Sequence, residues 1–233
     1  MKPADDAPAD TRVMGIIHSA LRRDLLRLHL VLAAGPVPDD HRVELADHVL
    51  WLMELLHHHH ESEDSALYPQ VLDHNPDSAP MVARMNEDHH RIEPAITAFQ
   101  EAAHAFRDGT PGSQEQLASA LDGLSEVLLP HLEREEREMM PIVSASITEA
   151  EWTAWDEQYN IKPLSLPELG REGVWILDGL DDASSDYVVH LVPAIPRFLI
   201  LHVLGPHNRH HFADLWKGTD AENIPSQSLS SGA

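Results

Sequence analysis

Two stretches set 72 residues apart constrain this chain more than any other feature of it. Residues 59–69 read His-His-Glu-Ser-Glu-Asp-Ser-Ala-Leu-Tyr-Pro, and residues 131–141 read His-Leu-Glu-Arg-Glu-Glu-Arg-Glu-Met-Met-Pro. In both, a His is followed four residues later by Glu, five later by a second acid and ten later by Pro. A further pair, His18 and His89, stands 71 residues apart. A repeat of this length predicts two similar helical hairpins, each offering one lone His and one His-x-x-x-Glu.

Apolar spacing with the helical period, cut by Pro and Gly, marks four long segments. The expected helices are 11–34, stopping at Gly35-Pro36; 39–68, stopping at Pro69; 77–109, with Pro80 in the opening turn; and 113–140, stopping at Pro141. Pro94 and Pro130 fall inside helical patterns and are expected to kink or open them. Short connections between long helices predict antiparallel neighbours, so the expected fold is an all-α, up-down-up-down four-helix bundle over residues 11–142. Residues 148–218 open with a capping box, Thr148 to Glu151, and continue as short helical pieces. There Trp152, Trp155, Trp175 and Trp216 predict packing on the bundle or on another subunit of a homo-oligomer. The Ser/Gly-rich end, 219–233, is expected to be disordered.

Four consecutive histidines, His57 to His60, cannot share one role, because successive helical side chains turn by about 100°. Placing His59 on the inner face puts Leu45, Leu52, Leu55, Leu56 and Glu63 with it and turns His57 and Glu61 away. By the same construction His131 and Glu135 join Leu117, Leu124, Val127 and Leu128; His89 joins Val82, Met85, Ile92 and Ile96; His18 joins Met14, Leu21 and Leu25. Counting residues from each inter-helix loop puts His18, His59, His89 and His131 at one height. His29 is also read as core-facing, but about 16 Å from His18 along the helix and so in another layer. His57, His58 and His60 are read as a solvated run, as are most of residues 133–138, with neighbouring arginines for pairing. His207, His210, His211 and Asp214 have metal-ligand spacing but no second copy, and a surface or packing role is expected.

Burying two carboxylates and four imidazoles among apolar side chains costs several kcal/mol per uncompensated charge unless a cation compensates. The chain has 18 histidines and no cysteine, so any metal is held by nitrogen and oxygen. The candidate ligands are His18, His59, Glu63, His89, His131 and Glu135. If both Glu bridge, each octahedral ion takes two imidazoles and two carboxylate oxygens. One position then remains for a shared oxo or hydroxo bridge, and one is exchangeable. The formal charge of −23 argues against nucleic acid and anionic membrane as partners. The polar, acidic start lacks the features of a secretory signal, and the apolar stretch 192–204 is too short to span a bilayer, so a cytoplasmic protein is expected.

His18, His59-x-x-x-Glu63, His89 and His131-x-x-x-Glu135, with the Leu67-Tyr68-Pro69 ending, resemble the HHE cation-binding domain of hemerythrin-like proteins over residues 12–142. The resemblance implies a non-haem centre of two iron ions with a bridging oxo or hydroxo group, zinc being the rival metal. It implies small-molecule partners, dioxygen, hydrogen peroxide or nitric oxide, and activities from catalase-like or peroxidase-like turnover through sensing to iron holding. Respiratory hemerythrins carry His-x-x-x-His on the third helix, whereas Glu93 stands at the second of those positions here and is a candidate weaker ligand.

Overall fold

The structure, a computed structural model, describes residues 4–191 and 205–229; the apolar stretch 192–204 and residues 230–233 lie outside the described residues. Regular structure among the described residues is helical, with one isolated bridge between Pro8 and Thr148. The chain forms an all-α helical bundle whose elements are α1 (Arg12–Ala33), α2 (Asp39–Ser62), α3 (Tyr68–His74), α4 (Ala79–Arg107), α5 (Ser113–Arg134), α6 (Met140–Ser146), α7 (Glu149–Asp156), α8 (Leu166–Leu177), α9 (Asp182–Leu191) and α10 (Gly205–Trp216).

Helices two and four of the sequence reading do not stop at their prolines. A π-helical turn, Glu63–Leu67, joins α2 to α3 across Pro69, and a second, Glu135–Met139, joins α5 to α6 across Pro141. Proline has no N–H, and its ring clashes with the carbonyl four residues back in an α-helix. Widening the turn resolves this: the Tyr68 N–H reaches the Glu63 carbonyl and the Met140 N–H reaches the Glu135 carbonyl, five residues back in each case. The repeat seen in the sequence is therefore also a repeat of backbone geometry. Pro94 and Pro130 sit inside α4 and α5, which are assigned as helix without a break.

The chain divides into two compact units, residues 4–12 with 38–163, and residues 13–37 with 164–191 and 205–229. In the first, α4 packs on both α2 and α5. Arg42 and Asp47 near the start of α2 bond to Phe106 and Arg107 at the end of α4, whereas His57 near the end of α2 meets Glu93. Asp88 of α4 meets Arg134 of α5. These pairings fix α2 and α4 as antiparallel, and the short α4–α5 connection makes α5 antiparallel to α4 in turn. The core between them includes Leu52, Leu56, Ile92, Ile96, Leu124 and Leu128, all essentially inaccessible. The capping box at Thr148 is present, and the Trp155 indole N–H donates to the Ser62 carbonyl.

The second unit is built around α1. Arg23 is fully buried, donating to the Asp24 carboxylate and to the carbonyls of Trp175 and Asp178, while the Trp175 indole donates to Asp24. Arg27 reaches Asp178 and the Ile224 carbonyl. Beyond α10 the Gln227 N–H donates to the Ser19 carbonyl and the Ser226 N–H to that of Gly179. His29, read as core-facing, is exposed, although it stands one helical turn on from the buried Leu25: the burial of α1 does not extend to this edge of its apolar face. No described helix is long and apolar enough to cross a membrane.

Candidate metal centre

Each donor arrives by helical periodicity. In α2 the buried positions Leu45, Leu52 and Leu56 continue into His59 and, one turn on, Glu63 at the start of the π-helical turn. In α5, Leu117, Leu124 and Leu128 continue into His131 and Glu135 in the same way. Val82, Met85 and Ile92 flank His89 on the buried face of α4. His59, Glu63, His89, His131 and Glu135 are all buried in the first unit. His18 is buried on α1, in the second.

Inside the first unit these groups converge. His59 Nε2 is 3.3 Å and His89 Nε2 3.6 Å from the Glu63 carboxylate, and His131 Nε2 is 3.4 Å from Glu135. Carboxylates on the far side orient the imidazoles. Asp64 Oδ1 lies 2.8 Å from His89 Nδ1, which leaves Nε2 facing inward, and Asp88 stands 3.8 Å from His131 Nδ1. Tyr68, fully buried, donates its hydroxyl to Glu135 Oε1 at 2.8 Å.

His60 corrects the sequence reading. It is buried, not solvated, with its ring 4.1 Å from that of His89 and 5.2 Å from that of His131. One ligand nitrogen from each of His60, His89 and His131 lies within 4.8 Å of the others. The signal was present: Ala46, Met53, His60 and Leu67 recur every seven residues and all are buried. That row flanks the one through His59, and α2 buries an arc wide enough to hold both. Glu93, the candidate weaker ligand, is half-exposed and paired with His57 at 3.0 Å, outside the buried cluster. His57 shares that exposed face, and His58 reaches the Tyr159 carbonyl. His207 and His210 are exposed, His210 pairing with Asp214.

The electrostatics are those of a centre short of positive charge. Burial, and then the negative charge of Glu135, push the Glu63 carboxyl well above the usual carboxylate range. Burial also raises the Tyr68 phenol, reinforced by Glu135 and Glu63, so it stays a neutral donor. Burial and the neighbouring His89 and His131 hold the His60 imidazole well below 6.5. His131 goes the other way: burial opposes protonation, but the facing carboxylates Asp88 and Glu135 raise it to about 9. Protons thus gather where a cation would relieve the same charge.

The donor set fits a metal ion. Buried polar atoms ordinarily have partners, yet the inward Nε2 atoms of His60, His89 and His131 have no hydrogen-bond partner. Only a cation satisfies several converging lone pairs and nearby carboxylates at once. Comparison with curated proteins and with solved structures returned no match. The family model for the hemerythrin HHE cation-binding domain matches residues 11–143, which include the lone His18 and His89 and both His-x-x-x-Glu motifs. With more than half its length matched and its buried His and Glu clusters suited to a cation, the chain belongs to the hemerythrin HHE cation-binding family.

Proposed function

We propose that this protein holds a non-haem di-iron centre and carries out redox chemistry linked to peroxide or dioxygen, in the manner of a catalase-like or peroxidase-like enzyme. The observation that carries the reading is the convergence of buried imidazoles on the buried carboxylates of Glu63 and Glu135, at 3.3 to 3.6 Å. The proposed ligands are His59, Glu63, His89, His131 and Glu135, joined by His18 on the strength of its register in the sequence. Iron in such a site supplies reversible electron transfer and exchangeable coordination positions for a small oxidant.

The chain's own residues do the rest. Asp64 holds His89 with Nε2 inward, and Tyr68 holds Glu135. The inaccessible Leu56, Ile92 and Leu128 keep bulk water from the donors, which strengthens every electrostatic contact there. The Tyr68 hydroxyl also keeps a proton beside Glu135, available to an oxygen atom that gains charge.

A sensing reading, with dioxygen or nitric oxide captured and not turned over, is favoured by one observation. Helix α1, which carries His18, is clasped by the C-terminal segment through Arg23 and Arg27, so a change felt by α1 has a structural outlet. The deciding experiment adds hydrogen peroxide to the iron-loaded protein while oxygen evolution and the visible spectrum are followed. Turnover that disappears in His59→Ala supports the enzyme. A stable spectral shift with dioxygen or nitric oxide and no turnover supports the sensor, and an iron-loaded protein inert to all three leaves iron holding.

A further inference from the structure

His60 has no place in a six-ligand centre, yet it is as buried as the residues that do. Its ring lies almost parallel to that of His89, at 4.1 Å and 15°, and edge-on to that of His131, at 5.2 Å and 84°. Its Nε2 is buried without a hydrogen-bond partner, as are those of His89 and His131. We infer that His60 is a metal ligand, completing with His89 and His131 a three-imidazole site for one ion of the pair. This rests on the di-iron reading above.

Geometry separates His60 from its neighbour. Adjacent helical residues diverge by about 100°, and the rings of His59 and His60 stand 5.9 Å apart and tilted, so the two serve different ions. The ligand nitrogens of His60, His89 and His131 all fall within 4.8 Å of one another. Across an ion with metal–nitrogen bonds of about 2.1 Å, such atoms lie at most about 4.2 Å apart. Small ring rotations close the difference. A stacked imidazole kept only to brace His89 would need no inward nitrogen, and a hydrocarbon side chain would serve better at a buried site. The consequence is asymmetry. Three imidazoles on one ion fill the position that four shared between two ions would leave exchangeable, confining small-molecule exchange to the other ion.

The wild-type protein tests this without mutation. Loaded with iron-57, it is expected to give two Mössbauer doublets of equal area and different splitting, from two inequivalent ions. A single doublet from two equivalent ions overturns the inference and leaves the di-iron reading standing, while fewer than two ions per chain overturns both. Variants add the assignment. His60→Ala and His60→Gln are expected to weaken binding of one ion at least tenfold in a chelator competition, with added imidazole restoring it in His60→Ala. His57→Ala, on the exposed face, is expected to bind both ions as wild type does. Two ions bound with unchanged affinity and spectrum in both His60 variants show that the residue only packs.

Discussion

The hydroxyl of Tyr68 donates to Glu135 Oε1 at 2.8 Å, linking the residue that follows the π-helical turn of one repeat to the carboxylate that opens the π-helical turn of the other. Neither residue is accessible to solvent. Glu135 therefore holds its orientation through a group outside the proposed ligand set. Tyr68→Phe keeps the packing and removes the donor, and outer hydrogen bonds of this kind contribute about 10–100-fold to metal affinity. A loss in that range, read by chelator competition, is the expected outcome, with metal-free thermal stability lowered by no more than about 1–3 kcal/mol.

Glu63 separates the demands of folding from those of binding. Without metal its buried carboxyl is a liability, as the upward push of burial and Glu135 on its pKa shows. Glu63→Gln is expected to leave the melting temperature of the metal-free protein unchanged or higher, and to lower both metal content and the melting temperature of the metal-loaded protein. Equal metal content in variant and wild type removes Glu63 from the ligand set. Glu135→Ala is expected to cost more, since it also strands the Tyr68 hydroxyl.

Protons and metal compete for the same atoms. In the metal-free centre the Glu63 carboxyl is pushed up by burial, and His131, despite burial, is held at about 9 by Asp88 and Glu135. His131 favours its protonated form around neutral pH, Glu63 keeps its proton to higher pH than an ordinary carboxyl does, and metal displaces such protons. Affinity is therefore expected to fall as pH is lowered and to rise as it is raised towards 9. Calorimetric titration in buffers of different ionisation enthalpy measures the released protons. Uptake that releases none contradicts the assignment.

The tie between α1 and the C-terminal segment depends on Arg23. It sits at 0% exposure, and its loss leaves the Asp24 carboxylate, at 1%, without the partner it meets at 2.7 Å. Breaking a buried pair on one side costs about 3–5 kcal/mol. Arg23→Met is expected to destabilise the protein by that order in urea unfolding followed by tryptophan fluorescence, with Trp175 among the reporters because the Arg23 guanidinium lies over its ring.

Which residues point inward was largely legible in the sequence, because helical period is a property of the chain itself. His59 and Glu63, His131 and Glu135, His89 and His18 follow buried Leu, Ile, Val or Met at three- and four-residue steps, and all are buried. The repeat of 72 residues likewise marked the two places where the structure forms its π-helical turns. What periodicity cannot state is how wide an arc a helix buries, since that depends on its neighbours. The row through Ala46, Met53 and His60 is inside because α2 is covered along it, and Glu93 is outside because it meets His57 on an uncovered face. Nor does the local pattern reveal that a helix can pass a proline, which here takes a widened turn held by its surroundings. The assignment of α1 to a unit with the C-terminal segment is also a tertiary outcome: the groups that satisfy the buried Arg23 and Arg27 are Asp24, Asp178 and the carbonyls of Trp175 and Ile224, supplied mostly from about 150 to 200 residues away, where no local pattern reaches.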